Sequence, residues 1–109
     1  MFQKHESTGY HVVLPGIRQK TLVYEEKMLM TEFLLEGGQV LPDHSHPHEQ
    51  CGYLIKGHIR LRIEDKIQDT LPGDSWCIPA DVRHGAEIIE DSVAIEVFSP
   101  VREEYKKFS

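Results

Sequence analysis

The run His44-Ser45-His46-Pro47-His48-Glu49-Gln50 and the later Pro79-Ala80-Asp81-Val82-Arg83-His84 contain the residue types that hold a divalent ion. Two imidazoles one residue apart on an extended segment face the same side, and a third from a distant strand closes a facial set around a metal. Metal-assisted chemistry is therefore the first expectation. Pro47 removes a ladder hydrogen bond, so strand alternation cannot be carried from His46 across to His48.

The elements that must position these residues read as strands. Short runs rich in Val, Ile, Leu, Tyr and Phe recur at 10–14, 21–24, 28–35, 49–56, 59–63, 67–71, 75–78, 86–89 and 92–99. Turn residues punctuate them at Pro15-Gly16, Gly37-Gly38, Gly57-His58, Glu64-Asp65-Lys66, Pro72-Gly73-Asp74 and Glu90-Asp91. Many short strands with turns at this interval imply an all-β closed barrel or sandwich. The segment from Arg102 to Phe108 carries acids first and lysines last, as a helix dipole favours, and reads as a short terminal helix or tail.

At 109 residues the chain is expected to form one domain over 1–109. A formal net charge of -6 would repel a phosphate backbone, so no nucleic-acid partner is expected. The N-terminus lacks a signal-peptide apolar run and no stretch has the length of a membrane span, so no membrane partner and a cytoplasmic location are expected. Cys51 and Cys77, the two cysteines, read as reduced core or near-core thiols rather than a disulfide or redox pair.

A two-residue hairpin loop at Gly57-His58 would pair Lys56 with Ile59, Leu54 with Leu61 and Gly52 with Ile63. Paired residues share a face, so Gln50, Gly52 and Leu54 would look into the barrel and Arg60 and Arg62 away from it. Tyr53 and Ile55 then face outward, where a second copy of the chain is expected to cover them in a homodimer. Along the last strand, Ala94, Glu96 and Phe98 share one face and Val93, Ile95 and Val97 the other. On the inner face Glu96 would have its pKa raised by desolvation, as a general acid or base requires. From the residues alone, Glu96 is equally an exposed edge residue and Arg102 an exposed helix-start residue.

The spacings Gly38-x5-His44-x-His46-x3-Gln50-x6-Gly57 and Gly73-x5-Pro79-x4-His84 resemble the two motifs of the cupin superfamily. The resemblance implies a double-stranded β-helix, a jelly-roll-like barrel, with His44, His46, Gln50 and His84 around one divalent transition metal (Ni, Zn, Fe, Mn or Co). It leaves His48 at the rim or behind the ligands. Gln50 stands where Glu is usual and Asp81 where Gly is usual, the second bearing on turn geometry. Three neutral imidazoles and an amide leave the ion's charge uncompensated, which favours an anionic, oxygen-rich ligand and disfavours redox catalysis. The alternative is that Gln50 orients a bound water instead of ligating.

Ile78-Pro79 leading to His84-Gly85-Ala86-Glu87, together with Val97-Phe98-Ser99-Pro100-Val101-Arg102-Glu103-Glu104-Tyr105, is similar to the small single-domain cupins of pectin degradation. Those proteins ketonise unsaturated monouronates from pectin and alginate. The resemblance implies a small anionic sugar-acid substrate, a Gln as fourth ligand, Phe98 and Arg102 as substrate contacts, and Glu96 as the acid where the family has Asp. Two other readings share the three histidines: a metal-dependent dioxygenase or decarboxylase on another small acid, and a cupin that binds a sugar or metabolite without turnover.

Overall fold

Eight strands follow one another in the computed structural model, which describes residues 1–109. They are β1 His11–Leu14, β2 Ile17–Tyr24, β3 Leu29–Leu35, β4 Val40–His44, β5 Glu49–Ile63, β6 Lys66–Thr70, β7 Ser75–Ile78 and β8 His84–Ser99. A 3-10 helix, Glu103–Phe108, closes the chain, with acids in its first turn and lysines in its last as expected. No helix is long and apolar enough to cross a membrane.

The two long strands β5 and β8 pair antiparallel along their whole length and organise the barrel. Each bends midway and serves two sheets. The first half of β5 and the second half of β8 lie between β7 on one side and β3, β2 and β1 on the other. The remaining halves lie between β6 and β4. The inner faces of both sheets meet in a core of Ile17, Leu35, Leu54, Ile59, Leu61, Ala86, Ile88 and Ala94. At about 2 kcal/mol for each fully buried aliphatic side chain, this apolar floor supplies the rigidity on which a polar rim can be mounted.

Gly57-His58 is not a hairpin turn. Strand β5 continues through it without a break, and the ladder shifts register there between Leu54 and Ile59. Glu90-Asp91 is likewise the bend of β8 rather than a break between strands. Turn-type residues mark both places because a strand that switches sheets must bulge and bend. A bulge shifts the inward parity as the expected hairpin would, so the facing came out correctly: Gln50, Gly52 and Leu54 are buried before the bend and Ile59 and Leu61 after it. Arg62 points outward, onto Asp43.

Gly57 adopts φ +97, and a Cβ there would lie 2.1 Å from Ser92 Oγ and 2.4 Å from the Asp91 carbonyl oxygen. Gly57→Ala therefore combines left-handed backbone strain with overpacking and is expected to cost about 2–4 kcal/mol, read as a drop in the urea midpoint at unchanged slope.

Strand β4 was not anticipated, and β2 begins at Ile17 rather than Thr21. Val40-Leu41-Pro42-Asp43-His44 has no apolar run and contains a proline, which an edge strand paired only to β8 tolerates. The cysteines also differ from expectation: Cys51 and Cys77 are both exposed and stand directly opposite one another on β5 and β7. Tyr53 and Ile55 are outward as expected, about half exposed.

Candidate metal centre

Pairing of β4 with β8 sets His44 directly opposite His84, with ring centroids 4.3 Å apart. His46 follows in the loop between β4 and β5, its ring 5.0 Å from that of His84 and 5.6 Å from that of His44. The Asp81 N–H donates to the His46 carbonyl at 2.8 Å and anchors this loop. Asp81 itself has φ 65, the left-handed region where glycine is favoured, so its departure from the motif does bear on a turn.

All three imidazoles are oriented from behind by backbone carbonyls. The Nδ1 of His44 donates to the Pro42 carbonyl (2.9 Å), that of His46 to His48 (3.0 Å) and that of His84 to Val82 (2.8 Å). A carbonyl only accepts, so each Nδ1 carries the proton and each Nε2 presents a lone pair. The potential ligand atoms lie within 4.8 Å of one another. His84 Nε2 is buried and has no hydrogen-bond partner.

Gln50, buried on β5, completes the group. Its Nε2 donates to Glu96 Oε2, which turns its Oε1 toward His46 Nε2 at 2.7 Å. With Nδ1 protonated, that contact places two lone pairs face to face. A cation seated between them would take both lone pairs. Burial, and then the nearby Arg102 guanidinium, lower the His46 pKa; burial takes His84 down to about 4. Both rings are thus neutral at pH 7, and the donor set suits a divalent ion. The three histidines could hold one.

Glu96 lies next to this group. Burial raises its carboxyl to about 7, against lowering by the Trp76 indole, Arg102 and the Gln50 amide. Trp76 Nε1 donates to Glu96 Oε1 at 2.7 Å. Gly52 stands between them in the ladder, opposite Glu96 on β8 and opposite Trp76 on β7. A Cβ at Gly52 would lie 2.0 Å from Glu96 Oε1 and 2.1 Å from Trp76 Cε2. Only glycine lets the acid and the indole meet across β5.

Phe98 is buried one side chain along β8, its ring edge-on to His46 at 5.6 Å. Arg102 covers the same cavity from beyond β8, its guanidinium 4.2 Å from the Tyr105 ring centroid and 5.2 Å from that of Phe98. It bonds Glu104 Oε1 at 2.7 Å. His48 is half-buried and meets His46 through its carbonyl. His58 pairs with Asp69, His11 packs on Phe108, and His5 is exposed.

The fold thus brings His44, His46, Gln50, His84, Glu96, Phe98 and Arg102 into one region. Three contributions are not read from the sequence: the Trp76 donor, the room that an inward Gly52 leaves for it, and the Tyr105 ring beside Arg102. Trp76 shares parity with inward Ile78, and a buried indole N–H needs an acceptor, so the pattern held a signal. Nothing in the sequence pairs Tyr105 with Arg102, because that contact depends on how the terminal helix folds back.

The pKa shifts of His84 and Glu96 act on stability in opposite senses. The unfolded chain holds more protons than folded His84 between about 4 and 6.5, so that contribution is present above 6.5 and lost as pH falls. Folded Glu96 holds more protons than the unfolded chain between 4.5 and about 7, so its contribution is present below 4.5 and lost as pH rises. Each amounts to roughly 3 kcal/mol. In chelator, Glu96→Gln is expected to lose stability on acidification from pH 6.5 to 4.5 and His84→Ala to gain it. Wild type should fall between the two variants, tilted toward loss because His46, also lowered, adds to His84, as measured by urea midpoints across the range.

A model of the Cupin domain matches residues 31–99. The pectin degradation protein KdgF of Dickeya dadantii (strain 3937) is 26% identical over 102 residues, spanning 92% of this chain and 93% of its own. The structure of KdgF from Halomonas sp. superposes with a TM-score of 0.91 at 29% identity, covering 95% of this chain and 96% of that one. An RmlC-like cupin from Shewanella frigidimarina NCIMB 400 also superposes with a TM-score of 0.91, at 26% identity over 95% and 94% of the two chains.

Proposed function

The chain belongs to the cupin family, and we propose that it is a metal-dependent, non-redox enzyme that converts unsaturated monouronates from pectin or alginate breakdown to their linear keto form. His44, His46 and His84 would hold one divalent transition-metal ion (Ni, Zn, Fe, Mn or Co) through Nε2, with Gln50 through Oε1. When bound, such an ion supplies Lewis acidity toward an anionic, oxygen-bearing ligand.

The observation that carries this reading is the held acid. Glu96 is buried, accepts from Trp76 and Gln50, and has a carboxyl near neutrality beside the imidazole cluster. A group poised near pH 7 both takes and gives a proton. Glu96 takes the hydroxyl proton of the cyclic hemiacetal as the ring bond breaks, and delivers a proton to carbon as the enol becomes a ketone. The reaction is an isomerisation and consumes no co-reactant. Arg102 pairs with the substrate carboxylate in the forked geometry that guanidinium favours, exchanging Glu104 for it. Phe98 walls the sugar ring. The names of the relatives agree with this assignment, since KdgF of Dickeya dadantii is a pectin degradation protein.

The test is incubation of the metal-loaded protein with a panel of unsaturated uronates, following loss of the conjugated ene absorbance and dissolved oxygen together. Absorbance should fall with no oxygen uptake. Oxygen consumption coupled to turnover would assign a dioxygenase instead, and no turnover on any uronate would remove the proposal.

A further inference from the structure

Cys51 and Cys77 take no part in the chemistry above, yet they are the chain's two thiols and they touch. Cys51 Sγ and Cys77 Sγ are 3.3 Å apart. They occupy directly opposed positions of the β5–β7 ladder, where Cα atoms of antiparallel partners lie about 4.5–5.5 Å apart. That spacing falls within the window for a disulfide, and the sulfur atoms must close by about 1.2 Å to bond. Both residues are exposed on the outward face, so a small molecule reaches them without opening the barrel. Two cysteines separated by 26 residues meet here only because the chain is folded.

We propose that Cys51 and Cys77 form a thiol–disulfide exchange site, oxidised by a low-molecular-weight disulfide and restored by the corresponding thiol. The thiolate of one cysteine attacks a sulfur of the small disulfide, forming a mixed disulfide and releasing one small thiolate. The second cysteine gives its proton to water and displaces the remaining small thiol from the mixed disulfide. Two protein thiols become one intrachain disulfide, and one small disulfide becomes two thiols. The bond closes between the ladder row of Gln50 and Ile78 and that of Gly52 and Trp76. It therefore ties β5 to β7 directly behind the two donors that hold Glu96.

The experiment treats the reduced native protein with excess oxidised glutathione and reads intact mass, free thiols and a non-reducing gel. Wild type should lose two hydrogens, carry no glutathione, lose both titratable thiols and recover them with reductant. Cys51→Ser and Cys77→Ser should each retain one glutathione, because the resolving thiol is gone. Wild type that accumulates stable glutathione adducts, keeps both thiols, or links chain to chain overturns the proposal. So does reaction only after unfolding, the outcome expected if a second copy covers this face. None of these readouts depends on uronate turnover, so this inference and the proposed function fail independently.

Discussion

With His84→Ala, the thermal unfolding of the protein should no longer respond to added nickel or zinc. In wild type, an ion held at 1,000 times its dissociation constant stabilises the native state by about 4 kcal/mol, which in a domain of this size raises the melting temperature by on the order of 15 °C or more. His84 carries this effect for two reasons. Its Nε2 is buried without a hydrogen-bond partner, and its Nδ1–H is committed to the Val82 carbonyl, so the ring is held in a ligating tautomer. Even loss of a group behind a ligand costs 10–100-fold in metal affinity, and loss of the ligand itself should exceed 100-fold. Calorimetry with and without chelator checks this, and a variant with an undiminished metal-dependent shift would show that the ion sits elsewhere. The barrel should survive the substitution, since the Ile17 to Ala94 core lies below the site.

Glu96→Gln should lower turnover by about 10²–10⁴-fold, the usual contribution of a positioned acid or base, while metal content measured by elemental analysis stays near one per chain. The asymmetry follows from the hydrogen bonds. A glutamine at 96 keeps a carbonyl oxygen for the Gln50 amide, so Gln50 Oε1 remains turned to His46. The mismatch falls on Trp76, whose N–H then meets an NH2 group. That leaves a buried donor unsatisfied at about 1–3 kcal/mol but does not disturb the imidazoles. Metal lost in step with activity would mean that Glu96 serves the ion rather than the proton.

The fold class and most of the cavity were legible in the chain. Period-2 patterning with turn residues at short intervals is a local property, because each strand buries alternate side chains whatever its neighbours are. It placed Gln50 inward and Glu96 and Phe98 on one shared face, with the burial of Glu96 left open, and the pairing His44↔His84 realises the motif spacing. The same logic misread Gly57-His58 and Glu90-Asp91, since a bend that carries one strand between two sheets uses the residues of a turn that ends one. It passed over β4, whose stability comes from pairing with β8 and not from its own composition.

What this sequence determined by itself is which residue types alternate and at what spacing, hence an all-β barrel or sandwich with imidazoles at metal-ligand spacing and an inward amide at Gln50. Which partner each group meets was decided only by tertiary structure. Register across β7, β5 and β8 puts Trp76, Gly52 and Glu96 in one row, and the same ladder sets Cys51 against Cys77 on the outer face. The physical reason is that hydrogen bonds and desolvation act over a few ångströms between chain segments far apart in sequence. A raised carboxyl, an orphaned Nε2 and a thiol pair exist only once those segments are packed together.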